Sequence, residues 1–231
     1  MKIFVLFTMI SFNCFAQTKR TIGDVRLSSY WEGETKVFTA EVEMTYEADL
    51  ESVAKGIENF DEKCNNEYRS KRKMMKWEDK CLYFNKNLVE AVKIQEFNKD
   101  ILKTDDLTPS YLVWRNVYNR GSFAHYDVIK KKTSDNEMII SHEMVNPKII
   151  NKVLKDPTRV SSAFDFIKGT YRLIKLSDKK TKVEYRYESK TSHWFLVRDF
   201  VEENVFENMS AGTTQALKTI TKAVERNSRS L

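Results

Sequence analysis

Apolar and polar residues alternate from Phe38 to Tyr46: Phe38, Ala40, Val42, Met44 and Tyr46 stand against Thr39, Glu41, Glu43 and Thr45. A period of two marks a strand with one buried face. The period then lengthens. Leu50, Val53, Ala54, Ile57 and Phe60 recur at helical spacing behind Asp49, a good N-cap, and predict a helix of about three turns. Residues 17–33 are polar, contain Gly23 and Gly33, and read as a lead-in to a domain spanning residues 34–228.

The basic stretch Tyr68 to Lys80 has no clear period and reads as connector plus strand. From Cys81 the pattern turns sheet-like. Cys81–Phe84, Leu88–Phe97, Tyr111–Tyr118, Ser122–Ile129 and Met138–Val145 are rich in β-branched and aromatic residues, separated by turns such as Asn119-Arg120-Gly121 and Thr133-Ser134-Asp135-Asn136. One short helix interrupts: Asn146 caps it, Pro147 opens it, and Ile149, Ile150, Val153 and Leu154 form its apolar face before Asp156-Pro157. Strands resume at Ala163–Ile167, Thr170–Leu176 and Lys182–Glu188, with Gly169 as a joint. The chain then closes with a helix of about nine turns from Trp194 to Arg226, whose stripe of Val197, Val201, Val205, Met209, Gly212, Ala216, Ile220 and Ala223 requires a partner surface.

Strand, helix, antiparallel meander and long terminal helix together predict an α+β helix-grip fold, a curved antiparallel sheet wrapped around the C-terminal helix. Hydrophobic residues at 41% and charged residues at 31% fit one soluble domain of about 215 residues. The start of the chain reads differently: one lysine, a run from Ile3 to Phe12 too short to span a bilayer, and small residues at Cys14 and Ala16 predict a signal peptide over residues 1–16. Export, to the periplasm or outside the cell, follows as an expectation. Cys64 and Cys81 then remain as a candidate disulfide. Residues 1–16 hold one lysine and no acid, so the net charge of +6 becomes +5 without them. That modest excess suits a lysine-rich surface, and export argues against nucleic acid as a partner.

The segment Phe164-Asp165-Phe166-Ile167-Lys168-Gly169-Thr170-Tyr171, then Lys180-Thr181-Lys182-Val183-Glu184-Tyr185-Arg186-Tyr187 and the terminal helix, resembles the end of START-like lipid-binding domains of the superfamily that includes polyketide cyclases and Bet v 1. In place of that family's Pro- and Gly-containing connection stands Ser189-Lys190-Thr191-Ser192-His193. The resemblance implies a monomer with a cavity between sheet and helix for a lipid or other apolar molecule, and no cofactor. Alternation with charged neighbours then nominates Trp114, Phe166, Tyr185 and Tyr187 as lining residues, with Val201, Val205 and Met209 from the helix. Ile149, Ile150, Val153 and Leu154 are a candidate lid, or else pack on the rim. Lys130-Lys131-Lys132 reads as a solvated loop tip or as a transient membrane-surface contact.

Catalytic chemistry is thinly represented. His125, His142 and His193 lack metal-ligand spacing, and six glycines leave little material for a phosphate loop or dinucleotide fingerprint. A cyclase- or hydratase-like enzyme would need a convergent pair from residues such as His125, Glu143 or Arg115. A third reading is a protein-interaction module with a collapsed cavity.

Overall fold

The computed structural model describes residues 17–58, 88–118 and 122–229. In chain order it contains β1 (Thr18–Ile22), β2 (Val25–Glu32), β3 (Thr35–Tyr46), α1 (Leu50–Glu58), β4 (Leu88–Ile94), β5 (Thr108–Tyr118), β6 (Ser122–Thr133) and β7 (Glu137–Met144). A 3₁₀ turn at Pro147–Ile149 runs into α2 (Ile150–Val153), followed by β8 (Phe166–Ser177), β9 (Lys180–Thr191) and the long α3 (Asp199–Arg229). Another 3₁₀ turn, Asp100–Leu102, precedes β5. The strands form one antiparallel sheet in the order β1-β2-β3-β9-β8-β7-β6-β5-β4. Every neighbouring pair but one is consecutive in the chain. The exception, β3 with β9, runs from Lys36↔Thr191 to Tyr46↔Thr181 and splices two meanders into a single surface.

Residues 17–33 are not a lead-in. They supply β1 and β2, with Val25 and Leu27 buried in the main core. The third inward position is Ser29, whose hydroxyl donates to Glu202 of α3, and this polar residue masks the alternation. Gly23 (φ 58°) and Gly33 (φ 63°) each belong to a two-residue hairpin turn whose left-handed backbone glycine adopts without strain. Gly169 is likewise no joint: β8 runs through it unbroken.

Helix α3, about 46 Å long at the α-helical rise, covers the inner face of the sheet. Phe206 meets Phe38 edge-on, with ring centroids 6.1 Å apart at 85°. Leu217 and Ile220 join Val53, Ala54 and Ile57 of α1 over Val183 and Leu173 in the same cluster. The two helices approach closely because residue 56 is glycine. A Cβ there would lie 3.2 Å from that of Ala223. Tyr46 secures the helix from the sheet side, its phenol donating to the Leu217 carbonyl at 3.2 Å.

A second cluster lies on the outer face, where Leu112, Trp114, Tyr126 and Val128 of β5 and β6 are covered by Leu102, Val145, Ile150 and Val153. The sheet is therefore apolar on both sides over these strands. Lysines 130–132 belong to β6 and not to a loop tip. Lys130 is buried beside Asp105 and Glu143, Lys131 pairs with Glu58, and Lys132 pairs with Asp106. Those ion pairs occupy the charges that a membrane contact would use.

Phe206→Ala removes the ring that locks α3 to β3 and is expected to cost about 3–5 kcal/mol, read as a lower midpoint in urea unfolding monitored by far-UV circular dichroism.

Candidate functional site

The inner face carries a polar cluster within its apolar surface. Tyr111 and Val113 belong to the main core, so the same side of β5 next presents Arg115. On β6 that side presents His125 and Asp127, and on β7 it presents His142. Asp127 is 1% exposed. Its carboxylate lies 2.9 Å from Arg115 Nε, 3.2 Å from His125 Nε2 and 4.0 Å from His142 Nδ1. A carboxylate buried alone would cost several kcal/mol, so the guanidinium is a condition of its burial.

Next to this cluster stands a stack of phenols. Tyr171 and Tyr185 lie ring on ring, 4.3 Å apart at 26°. The Tyr185 hydroxyl is 3.4 Å from His142 Nε2. Tyr187 follows on the same side of β9, opposite Gly169. That glycine is required by a close approach: a Cβ at 169 would sit 1.9 Å from His142 Nε2. The imidazole thus lies over the β8 backbone in the volume a side chain would take.

Electrostatics divide the cluster. Burial pushes the Asp127 carboxyl up, but His125, Arg115 and His142 together override it and hold it well below the usual carboxylate range. Burial lowers His142 to about 4, with Asp127 opposing and Arg115 and His125 reinforcing the fall. Burial raises Tyr185, helped by Tyr171 and Tyr187, and raises Tyr187 as well. At neutral pH the site therefore offers an ionised carboxylate, a neutral imidazole and protonated phenols. His142 keeps 14% of its side chain exposed and Arg115 15%. Such a set can hold one polar atom of an otherwise apolar molecule. His142 and the phenols are displaced in opposite directions, the imidazole downward and the phenols upward. Among the described residues no three His, Cys, Asp or Glu side chains are placed to hold a metal ion.

Of the nominated lining residues, Tyr185 and Tyr187 face inward, Val205 and Met209 pack against the main core, and Val201 is buried. Trp114 and Phe166 do not join them. Trp114 stacks on Tyr126 in the outer cluster at 4.6 Å, and Phe166 lies on the outer side of β8 with Lys190 5.9 Å from its ring centre. In both cases the assumption that charged neighbours face water fails or has no force: Arg115 points inward to Asp127, which turns Trp114 outward. Ile149, Ile150, Val153 and Leu154, nominated as a lid on the cavity or as rim packing, all lie in the outer cluster, on the face opposite α3. Their partner is the apolar strip of Trp114, Tyr126 and Val128. Glu143 lies on the outer face with Lys130 and Lys168. Cys64 and Cys81 lie outside the described residues. Asp127 and the placement of His142 were missed. The available signal was the run Ala124 to Val128, in which His125 and Asp127 alternate with Ala124, Tyr126 and Val128.

Comparison with protein-family models and with curated proteins finds no match. Solved structures do match. Human StAR-related lipid transfer protein 5 aligns over 91% of this chain and 86% of its own at 13% identity and a TM-score of 0.53. Human STARD10 aligns over 92% and 73% at 12% identity and 0.52. The human StarD13 lipid transfer and protein localization domain aligns over 91% and 89% at 10% identity and 0.50. The chain has a START-like helix-grip fold.

Two outcomes follow from the cluster. Asp127→Leu strands a buried guanidinium and is expected to destabilise by about 3–5 kcal/mol, whereas Arg115→Met with Asp127→Leu restores most of the loss, as a double-mutant cycle in urea would read. The second concerns acid. Between pH 6.5 and about 4 an unfolded histidine binds a proton that native His142 refuses, so stability falls as pH falls through that window. Asp127 extends the loss below its ordinary 3.8. The His142 share is about 3 kcal/mol, and His142→Phe is expected to flatten the urea midpoint between pH 7 and 4.5.

Proposed function

We propose that this domain binds a lipid or other apolar small molecule between the inner face of the sheet and α3, with the polar end of the ligand at Arg115, Asp127, His142 and Tyr185. The observation that carries this reading is a partly exposed polar cluster on the apolar inner face of a START-like fold. Two of the similar structures are described as lipid transfer proteins or domains, which supports the ligand class. Tyr187 and the α3 residues Val201, Val205 and Met209 are the apolar lining in this proposal.

The N-terminal pattern supports an exported protein, with residues 1–16 as the signal and the domain acting as a carrier or sensor in the periplasm or outside the cell. Enzymatic use of the same space is less well supported, since His142 is neutral and hard to protonate.

Organic extraction of the purified protein followed by mass spectrometry is expected to release an apolar molecule. A delipidated sample is expected to bind a fluorescent fatty-acid analogue, and Val205→Trp, which fills the proposed space, to weaken that binding by about tenfold. A protein that yields no apolar molecule and binds no analogue has a filled interior, and the carrier reading fails.

A further inference from the structure

Strand β1 is one free edge of the sheet and begins at Thr18. The outermost rung of its ladder is Thr18↔Ser29, although β2 continues to Glu32. Gln17 therefore stands one residue outside the pairing. It is exposed and makes no hydrogen bond or ion pair among the described residues.

The strand behind it has few holds. Thr18, Lys19, Arg20 and Thr21 are exposed, and Ile22 is only partly buried. Beyond its pairing with β2, the strand is tied to α3 by the Arg20–Glu203 ion pair and by Ser210, whose hydroxyl donates to the Ile22 carbonyl at 3.3 Å. An edge strand with so little buried surface opens from its free end.

Cleavage after Ala16 would make that free end chemically distinctive, because Gln17 would then carry the α-amino group. The amine nitrogen lies within reach of its own side-chain carbonyl carbon, and joining N, Cα, Cβ, Cγ and Cδ in a ring gives an unstrained lactam. An α-amino group loses its proton nearer neutrality than a lysine does, so the nucleophile is available. Ring closure also removes a positive charge from beside Lys19 and Arg20.

We propose, resting on the export reading above, that the mature chain carries pyroglutamate at position 17 and that this ring seals the free end of β1 against aminopeptidases. The α-amino nitrogen attacks Cδ of the Gln17 side chain, the Cδ–Nε2 bond breaks, and ammonia leaves with a proton from the amine. No oxidant or co-reactant is consumed. Nothing in the ladder has to move, since pairing starts at Thr18. An aminopeptidase requires a free terminal amine. Given one, it would remove Gln17, Thr18 and Lys19 in turn, shortening the β1–β2 ladder and then reaching the Arg20–Glu203 pair.

Intact mass and tandem mass spectrometry of the N-terminal peptide test it, on the full chain secreted from a bacterial host and purified. The peptide is expected to begin at position 17, to be lighter by one ammonia than the glutamine form, and to resist amine-labelling reagents, at isolation or after incubation at neutral pH. Gln17→Ala is expected to keep the far-UV circular dichroism of the parent and to show no such mass deficit. Exposed to an aminopeptidase, the parent is expected to keep residues 17–20 while Gln17→Ala loses them. A chain that begins at Gln17 and keeps its full mass overturns the proposal and leaves the export reading standing. One that still begins at Met1 fails the export reading and overturns both. Equal trimming, or equal resistance, of the parent and Gln17→Ala overturns the sealing role.

Discussion

Over β5 and β6 the sheet is apolar on both faces and must be covered twice, and that requirement organises this part of the molecule. On the inner side α3 and α1 do the covering, through Phe206 against Phe38 and through Leu217, Ile220, Val53 and Ile57 over the middle strands. On the outer side the work falls to short pieces, the Asp100–Leu102 turn and the segment from Val145 to Leu154, spread over Trp114, Tyr126 and Val128. Burial of this kind contributes about 25 cal/mol per Å² of apolar surface, so elements of little intrinsic helicity, such as the four residues Ile150–Val153, are held by tertiary contact. The β3–β9 pairing makes the arrangement possible. Without it the two meanders would be separate sheets.

The polar group on the inner face is the exception within this scheme, and it is internally balanced. Asp127 is held below the usual carboxylate range chiefly by His125 and Arg115, while His142 is kept neutral by burial. Neither member would be tolerated alone. Together they place a carboxylate, a guanidinium, imidazoles and a phenol within an apolar wall. The likeness to three human structures at 10–13% identity shows a shared fold where little of the sequence is shared.

Much of the fold was legible because several elements follow one simple pattern. The alternation from Phe38 to Tyr46 lies within β3, the N-cap and repeat from Asp49 mark the start of α1, and the long stripe marks α3, although that helix begins at Asp199 and not at Trp194. Legibility failed where side chains broke the equation of charge with solvent. Arg115 and Asp127 face inward, which reversed the assignment of Trp114. Ser29 took an inward position in β2, which hid a strand. Asp127 is one acid among 33 and carries no local mark of its burial. The covering role of the Ile149–Leu154 face could not be read either, because a short amphipathic helix has the same pattern whether it closes a mouth or seals a wall.

The contact between His142 and Gly169 joins two positions that are distant in sequence into one unit of volume. The imidazole fills the space that residue 169 leaves empty, so residue 169 cannot gain bulk while the histidine stays. For selection the pair is a single locus written in two places: bulk gained on β8 would have to be surrendered on β7, and a lineage that lost the histidine would find the glycine free to drift.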